Sequence, residues 1–279
     1  MDKLLTVVIP SYNVEKFLNQ TLDSFICDEA VMKKFEVIVV DDGSKDNTAK
    51  IGKEYADKYP DTFRVISKEN GGHGSTINCG IRNAVGKYFK VVDGDDWVNT
   101  ADFVKLVEDL EKTESEYVFT NYYEYYDDVN RQKAVDFPQF KDGTEYDFAD
   151  VANKVYIPMH ALVIKTSVLK DNNIVIDEKC FYVDVEYVMF PVPFVNKVTF
   201  FDLHVYMYRL ALSTQSVSIL GFQKHINDHL RVTFHMFDFY RDYISSDKAD
   251  SAKADYMRTC IADLIITQSA IYSVSYTHL

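Results

Sequence analysis

Two periods of hydrophobic and polar residues alternate along this chain. Residues 4–9 form a continuous apolar and β-branched run and residues 35–40 one broken only by Glu36, the pattern of strands buried on both faces. The first is expected to stop at Pro10, and the second to end in Asp41-Asp42-Gly43-Ser44. Residues 63–67 and 88–92 read as two further strands. Between them the period becomes helical. Phe17, Leu18, Leu22, Phe25 and Ile26 repeat at helical spacing within 14–26, and Asp46 or Asn47 is placed to cap a helix reaching about residue 59. A third helix is expected over 75–84. Strand and helix thus alternate three times before a final strand, through short loops. That order predicts a mostly parallel α/β sheet with right-handed crossovers.

The second half is less regular. Residues 102–112 read as a helix and 116–126 as an aromatic strand. Tyr117, Phe119, Tyr123 and Tyr125 share one face of that strand, Tyr122 and Tyr126 the other. They are read as core and sheet edge in preference to a sugar-stacking platform. Residues 131–150 are polar and turn-rich, a hairpin or surface loop. A short strand (161–165), a helical turn (166–171), a short helix ended by Pro191 and Pro193, and two strands (198–201 and 205–209) follow. From Gly221 onwards the pattern is helical, over 222–243 and 249–272. The last seven residues, Ser273-Val274-Ser275-Tyr276-Thr277-His278-Leu279, interrupt that pattern and resemble translated adapter read-through, so the natural chain is expected to be longer.

Composition narrows the function classes. With 279 residues, 47% of them hydrophobic, the chain can bury a sizeable core. A formal net charge of −13 argues against nucleic acid as a partner, because phosphate-backbone binding needs a basic face. A nucleotide remains possible if a metal ion bridges the two sets of negative charge. Cys27, Cys79, Cys180 and Cys260 lie far apart, fitting a reducing cytoplasm better than zinc or disulfides. No signal-peptide pattern and no run of ~20 apolar residues is visible.

In open sheets of this kind, ligands bind outside the carboxyl ends of the strands. Those ends carry Pro10-Ser11-Tyr12-Asn13, Asp41-Asp42-Gly43-Ser44, Asn70-Gly71-Gly72-His73-Gly74 and Asp93-Gly94-Asp95-Asp96-Trp97. Each has an ordinary reading: a strand-to-helix turn for the second, a flexible connection for the third. The fourth is an acidic turn or a metal site. Crowded carboxylates repel one another, and a hard divalent cation relieves that repulsion. Gly94 is expected to let the backbone turn there. Asp184 and Glu186 lie in an aromatic, apolar segment, as a general base or as a helix cap with a surface neighbour. Arg209 and Ser213-Thr214-Gln215-Ser216 either meet a diphosphate or simply end a strand.

Together these motifs resemble the family 2 glycosyltransferases, inverting enzymes of the GT-A fold. The likeness runs from Val7-Val8-Ile9-Pro10-Ser11-Tyr12-Asn13 through Val39-Val40-Asp41-Asp42-Gly43-Ser44 and Asn70-Gly71-Gly72 to Val92-Asp93-Gly94-Asp95-Asp96-Trp97. It is looser at Val183-Asp184-Val185-Glu186, Tyr208-Arg209 and Gln215-Ser216-Val217-Ser218. The resemblance implies a Rossmann-like sheet flanked by helices, with a catalytic domain over 1–218 and a helical extension over 219–279. The nucleotide-binding half would be 1–100 and the acceptor-binding half 101–218.

It also implies a nucleotide-sugar donor, most often UDP-linked, and a glycan or lipid-linked acceptor reached by peripheral membrane contact. Pro10, Tyr12, Asn13, Asp42, Gly72, Asp93, Gly94 and Asp95 would bind the nucleotide. Asp95 and Asp96 would hold Mn²⁺ or Mg²⁺, and Asp184 would deprotonate the acceptor. Where many members carry Ala-Arg-Asn this chain has Thr76-Ile77-Asn78, so the arginine's contact falls to another cation, with Lys68, Arg82 and Arg209 the candidates. A Gln-x-x-Arg-Trp motif is absent, which favours single transfer. Two other readings are a non-catalytic nucleotide-sugar-binding relative and a nucleotidyltransferase. The second lacks its Gly-rich, basic loop after the first strand.

Overall fold

The computed structural model describes residues 3–210 and 219–276, and ten of its strands join in one sheet. The first half follows the expected alternation. Strands β1 (Leu5–Ser11), β2 (Phe35–Asp41), β3 (Phe63–Ser67) and β4 (Tyr88–Val91) are parallel, in the order β3-β2-β1-β4. Helices α1 (Leu18–Asp23) and α2 (Glu29–Met32) link β1 to β2. The next two crossovers are α3 (Thr48–Lys58) and α4 (His73–Asn83).

Strand β1 continues through Pro10, two residues past the expected stop. In a parallel ladder a residue's N–H and C=O face the same neighbour. Pro10 O accepts a bond from Gly94 N at 3.1 Å, so its missing N–H faces the side where β4 has already ended. Regular pairing with β4 therefore stops at Val91, while the ladder to β2 on the other side runs on to Ser11 and Asp41, a position at which a sheet tolerates proline.

Beyond β4 come β5 (Trp97–Val98), α5 (Thr100–Asp109), capped by the Asn99 side chain, and β6 (Tyr117–Tyr126). The polar stretch 131–150 contributes two strands to the sheet, the first of them completing a hairpin with β6, the first of its two expected readings. Within it, β7 (Arg131–Val135) pairs antiparallel with β6, and β8 (Thr144–Asp147) leads into α6 (Phe148–Ala152). Strand β9 (Leu162–Lys165) lies antiparallel between β4 and β6, followed by α7 (Thr166–Asp171) and α8 (Asp184–Met189). The two strands expected at 198–201 and 205–209 are one, β10 (Lys197–Leu210). Register shifts near His204 let its first half pair with β8 and its second with β5.

Successive residues of a strand face opposite sides of the sheet, and two cores follow. Val8, Ile38 and Val40 enter one; Val7, Ile9, Val37 and Val39 enter the other. The first core is closed by α10 (Ile226–Ile244) and α11 (Ser251–Tyr276), through Val232, Met236, Tyr256 and Cys260; α9 (Ile219–Lys224) precedes them. The expected boundary after residue 218 falls at 211–218, outside the described residues, as do Ser213-Thr214-Gln215-Ser216 and Gln215-Ser216-Val217-Ser218. Among the described residues no helix is long and apolar enough to cross a membrane.

Candidate active site

The acidic turn Asp93-Gly94-Asp95-Asp96 leaves β4 and is tied down from three sides. Thr21 Oγ1 on α1 donates to Gly94 O at 3.0 Å and Asp96 O at 2.6 Å, while Gly94 N reaches Pro10 O. Gly94 is required by this closeness and not by the turn. A Cβ there would stand 2.9 Å from Pro10 O and 3.0 Å from Val14 Cγ2, and Gly94 is not among the positive-φ residues.

The three carboxylates differ in what they face. Asp96 is 2% exposed; its Oδ2 accepts the Tyr206 hydroxyl at 2.6 Å and its Oδ1 the Arg209 backbone N–H at 2.7 Å. Although expected beside Asp95 as a metal ligand, Asp96 thus directs both oxygens into β10. Asp93 leaves 26% of its side chain accessible, yet its Oδ1 is buried with no hydrogen-bond partner. Burial raises its pKa to about 6; His73, 3.7 Å from that oxygen, opposes the shift, and the charges of Asp95 and Asp184 add to it. An undonated carboxylate oxygen among like charges suits a hard divalent cation, so Asp93 and the half-buried Asp95 fit Mn²⁺ or Mg²⁺.

Beside this turn, linked to it by His73, lies a cavity of about 400 Å³. Pro10, Tyr12, Asp42 and Gly72, four of the expected nucleotide-binding residues, line it together with Ser11, Asn70 and Thr76. Asp42 is 2% exposed and organises the glycine loop: its carboxylate accepts the N–H groups of Gly71 at 2.9 Å and Gly72 at 2.8 Å. Asn13 stands outside the lining. In a left-handed conformation (φ 54°), it accepts from Lys45 N at 2.8 Å and so braces Tyr12 from behind.

None of the three cations named to replace the family arginine is free to serve this cavity. Lys68 is held by Asp42 at 2.6 Å, and Arg82 sits in the last turn of α4, away from the glycine loop. Arg209 is a brace. Its guanidinium donates to Asp95 O (2.8 Å), Gln20 Oε1 (2.6 Å) and Asp127, and lies over the ring of Trp97 at 4.7 Å. It holds the acidic turn against α1 and the end of β6. Trp97 thus meets the turn through this guanidinium.

The lining is completed by Lys179, Cys180 and Phe181, which no sequence pattern had marked and which pack against the glycine loop. The irregular stretch before α8 has no period to read; its nearness to Asp184 is the only hint. Asp184 is the first residue of α8, exposed, and caps nothing, whereas Glu186 is fully buried. The expectation of a capping Asp184 and a surface Glu186 is reversed, because residues two apart on a helix take nearly opposite faces. Burial raises the Glu186 pKa, and its carboxylate accepts from Asp177 N at 2.8 Å and meets His235 Nδ1 at 3.0 Å. The ligand atoms of Asp177, Glu186 and His235 lie within 4.8 Å of one another, a second cluster able to hold an ion.

Beneath the site, Lys90 is fully buried, and its ammonium donates to His160 O at 2.9 Å and Leu162 O at 3.2 Å. Burial lowers its pKa to about 7. His160, pushed down to about 3 by burial, stacks on Tyr208 at 3.9 Å.

Comparison with known proteins agrees with this layout. The chain is 37% identical over 123 residues to the uncharacterized glycosyltransferase EpsJ of Bacillus subtilis; the match covers 44% of this chain and 35% of that protein. The chain therefore spans about a third of that relative's length. The fold is that of S. aureus TarS 1-349 in complex with UDP-GlcNAc, with a TM-score of 0.65 at 20% identity, covering 94% of this chain and 71% of that one. It is shared also by the mannosyltransferase PcManGT from Pyrobaculum calidifontis, in complex with GDP-Man and Mn²⁺. There the TM-score is 0.60 at 16% identity, over 99% of this chain and 76% of that one. The model of Glycosyl transferase family 2 matches residues 6–172, more than half of the sequence, and the chain belongs to that family.

Proposed function

We propose that the chain moves a sugar from a nucleoside diphosphate donor, UDP-linked in the first instance, to a hydroxyl of a glycan or lipid-linked acceptor. The transfer is a single inverting displacement that uses Mn²⁺ or Mg²⁺. One observation carries the reading. The undonated Asp93 Oδ1, with the charges of Asp95 and Asp184 acting on it, adjoins the cavity lined by Pro10, Tyr12, Asp42 and Gly72. The UDP-GlcNAc of TarS and the GDP-Man and Mn²⁺ of PcManGT support the donor class and the ion.

In this mechanism Pro10, Tyr12 and Asp42 border the base, with Asn13 bracing the loop. Gly72 and Gly94 let backbone approach closely. Asp93 and Asp95 would hold the ion, and Asp96 keeps their turn fixed to β10. When bound, the ion supplies Lewis-acid neutralisation of the departing diphosphate. Asp184 takes the proton of the acceptor hydroxyl as its oxygen bonds to the anomeric carbon and the bond to diphosphate breaks. No protein nucleophile is needed. The division into 1–218 and 219–279 is retained, with the reaction in the cytoplasm, at the inner membrane face when the acceptor is lipid-linked.

The test is donor turnover with Mn²⁺ and after chelation, beside Asp95→Ala and Asp184→Asn. Chelation and Asp95→Ala should abolish turnover. Asp184→Asn should lower kcat by about 10²–10⁴ while donor binding persists. Unchanged turnover in either variant refutes the assignment. A wild type that binds donors without ever turning them over would favour the non-catalytic reading.

A further inference from the structure

Where many family members carry an arginine after the glycine loop, this chain has Ile77, which is fully buried. A cation from a different part of the chain borders the cavity: Lys179 is among its lining residues, is exposed, and its side chain makes no ion pair among the described residues.

The position of Lys179 is enforced by its backbone. The residue is held left-handed (φ 53°), a conformation that costs a non-glycine residue about 1–2 kcal/mol. Its N–H donates to Gly71 O at 2.6 Å. A Cβ on Gly72 would stand 3.2 Å from Lys179 Cα and N, so the glycine there makes room for the lysine's main chain. The segment is pinned on both sides as well. Asp177 is held by Glu186 and Arg231, Phe181 stacks on His225 at 3.7 Å, and Tyr182, also left-handed, stacks on Phe222 at 5.1 Å. A strained residue fixed by this many contacts is what a functional constraint produces.

Charge says what the lysine is for. Asp42 is already paired with Lys68, while Asp93, Asp95 and Asp184 crowd the neighbouring turn. A diphosphate entering there brings further negative charge to a strongly acidic site, and a divalent ion offsets only part of it. We infer that Lys179 is a donor-binding residue, its ammonium pairing with the anionic diphosphate oxygens of a site to which Ile77 brings no charge. The inference rests on the nucleotide-diphosphate reading above and adds a residue and a ligand moiety to it.

Calorimetric titration of the whole chain with UDP and with uridine, in the presence of Mn²⁺, tests it. Lys179→Met should weaken UDP binding about tenfold or more and leave uridine binding within twofold of wild type, and Lys179→Gln should behave alike. Lys179→Arg should restore most of the UDP affinity. Retained uridine binding also shows that the variants are folded. UDP affinity unchanged in Lys179→Met overturns the inference, as does equal weakening of UDP and uridine, which would mean a wall or base contact. A wild type that binds neither compound overturns the donor reading itself, and this inference with it.

Discussion

Replacing Arg209 by methionine keeps roughly the side chain's length and apolar stem but removes all its donors. Asp95 O, Gln20 Oε1 and Asp127 lose their partner, and Trp97 loses the cation above its ring. Breaking a buried charge pair costs about 3–5 kcal/mol. The Arg209 side chain is 6% exposed but Asp127 is 36% exposed, so solvent recovers part of that loss. The expected destabilisation is therefore at the lower end, about 3 kcal/mol, with Asp127→Asn alone costing about 1 kcal/mol or less. The chain has one tryptophan, and it lies against this guanidinium, so urea unfolding followed by intrinsic fluorescence reports directly on the site. Donor affinity should fall only as far as the acidic turn loosens. A variant as stable as wild type but deficient in UDP binding would refute the reasoning, because it would make Arg209 a phosphate ligand and not a brace.

Two other perturbations test neighbouring parts of the site. Gly94→Ala forces a methyl against Pro10 O at 2.9 Å, and overpacking of this kind costs about 1–3 kcal/mol. Thermal melts should show that loss together with reduced donor turnover, and an unaltered melt would mean the turn is softer than its contacts imply. Lys90 holds its proton to about pH 7 in the fold against an ordinary value of 10.5, so between those limits the unfolded chain binds more protons. Stability should then rise with pH across that window, by up to about 1.4 kcal/mol per unit. Lys90→Met should flatten the rise in melts between pH 7 and 9, and parallel slopes for the two proteins would refute the assignment.

The parallel half of the sheet was legible because its strands are mostly apolar and β-branched, with single charged residues at Glu36, Arg64 and Lys90, and alternate with helical periods. Pro10 misled at the strand's end because sequence does not reveal which side of the ladder a proline's missing donor faces. Glu186 misled because a carboxylate in a short amphipathic stretch is read by default as surface, and its burial depends on Asp177 N and on His235 of α10, 49 residues away. Arg209 looked like a phosphate ligand because its nearest acceptors, Gln20 and Asp127, are remote in the chain and only the folded sheet brings them to it. Lys179 left no trace at all: its importance lies in a backbone conformation and in a glycine it packs against, neither of which has a periodic signature.

The two walls of the cleft come from parts of the chain with different histories of resemblance. The match to the family model ends at residue 172, before Lys179, Phe181 and Asp184, where the likeness is only the loose one at Val183-Asp184-Val185-Glu186. The floor is thus common property, while the facing wall is written in a segment that alignment does not reach. The likeness of fold is broader, since TarS 1-349 covers 94% of the chain at only 20% identity. Exchanging that wall between relatives, with the floor left in place, is therefore a natural unit for redirecting what such an enzyme accepts.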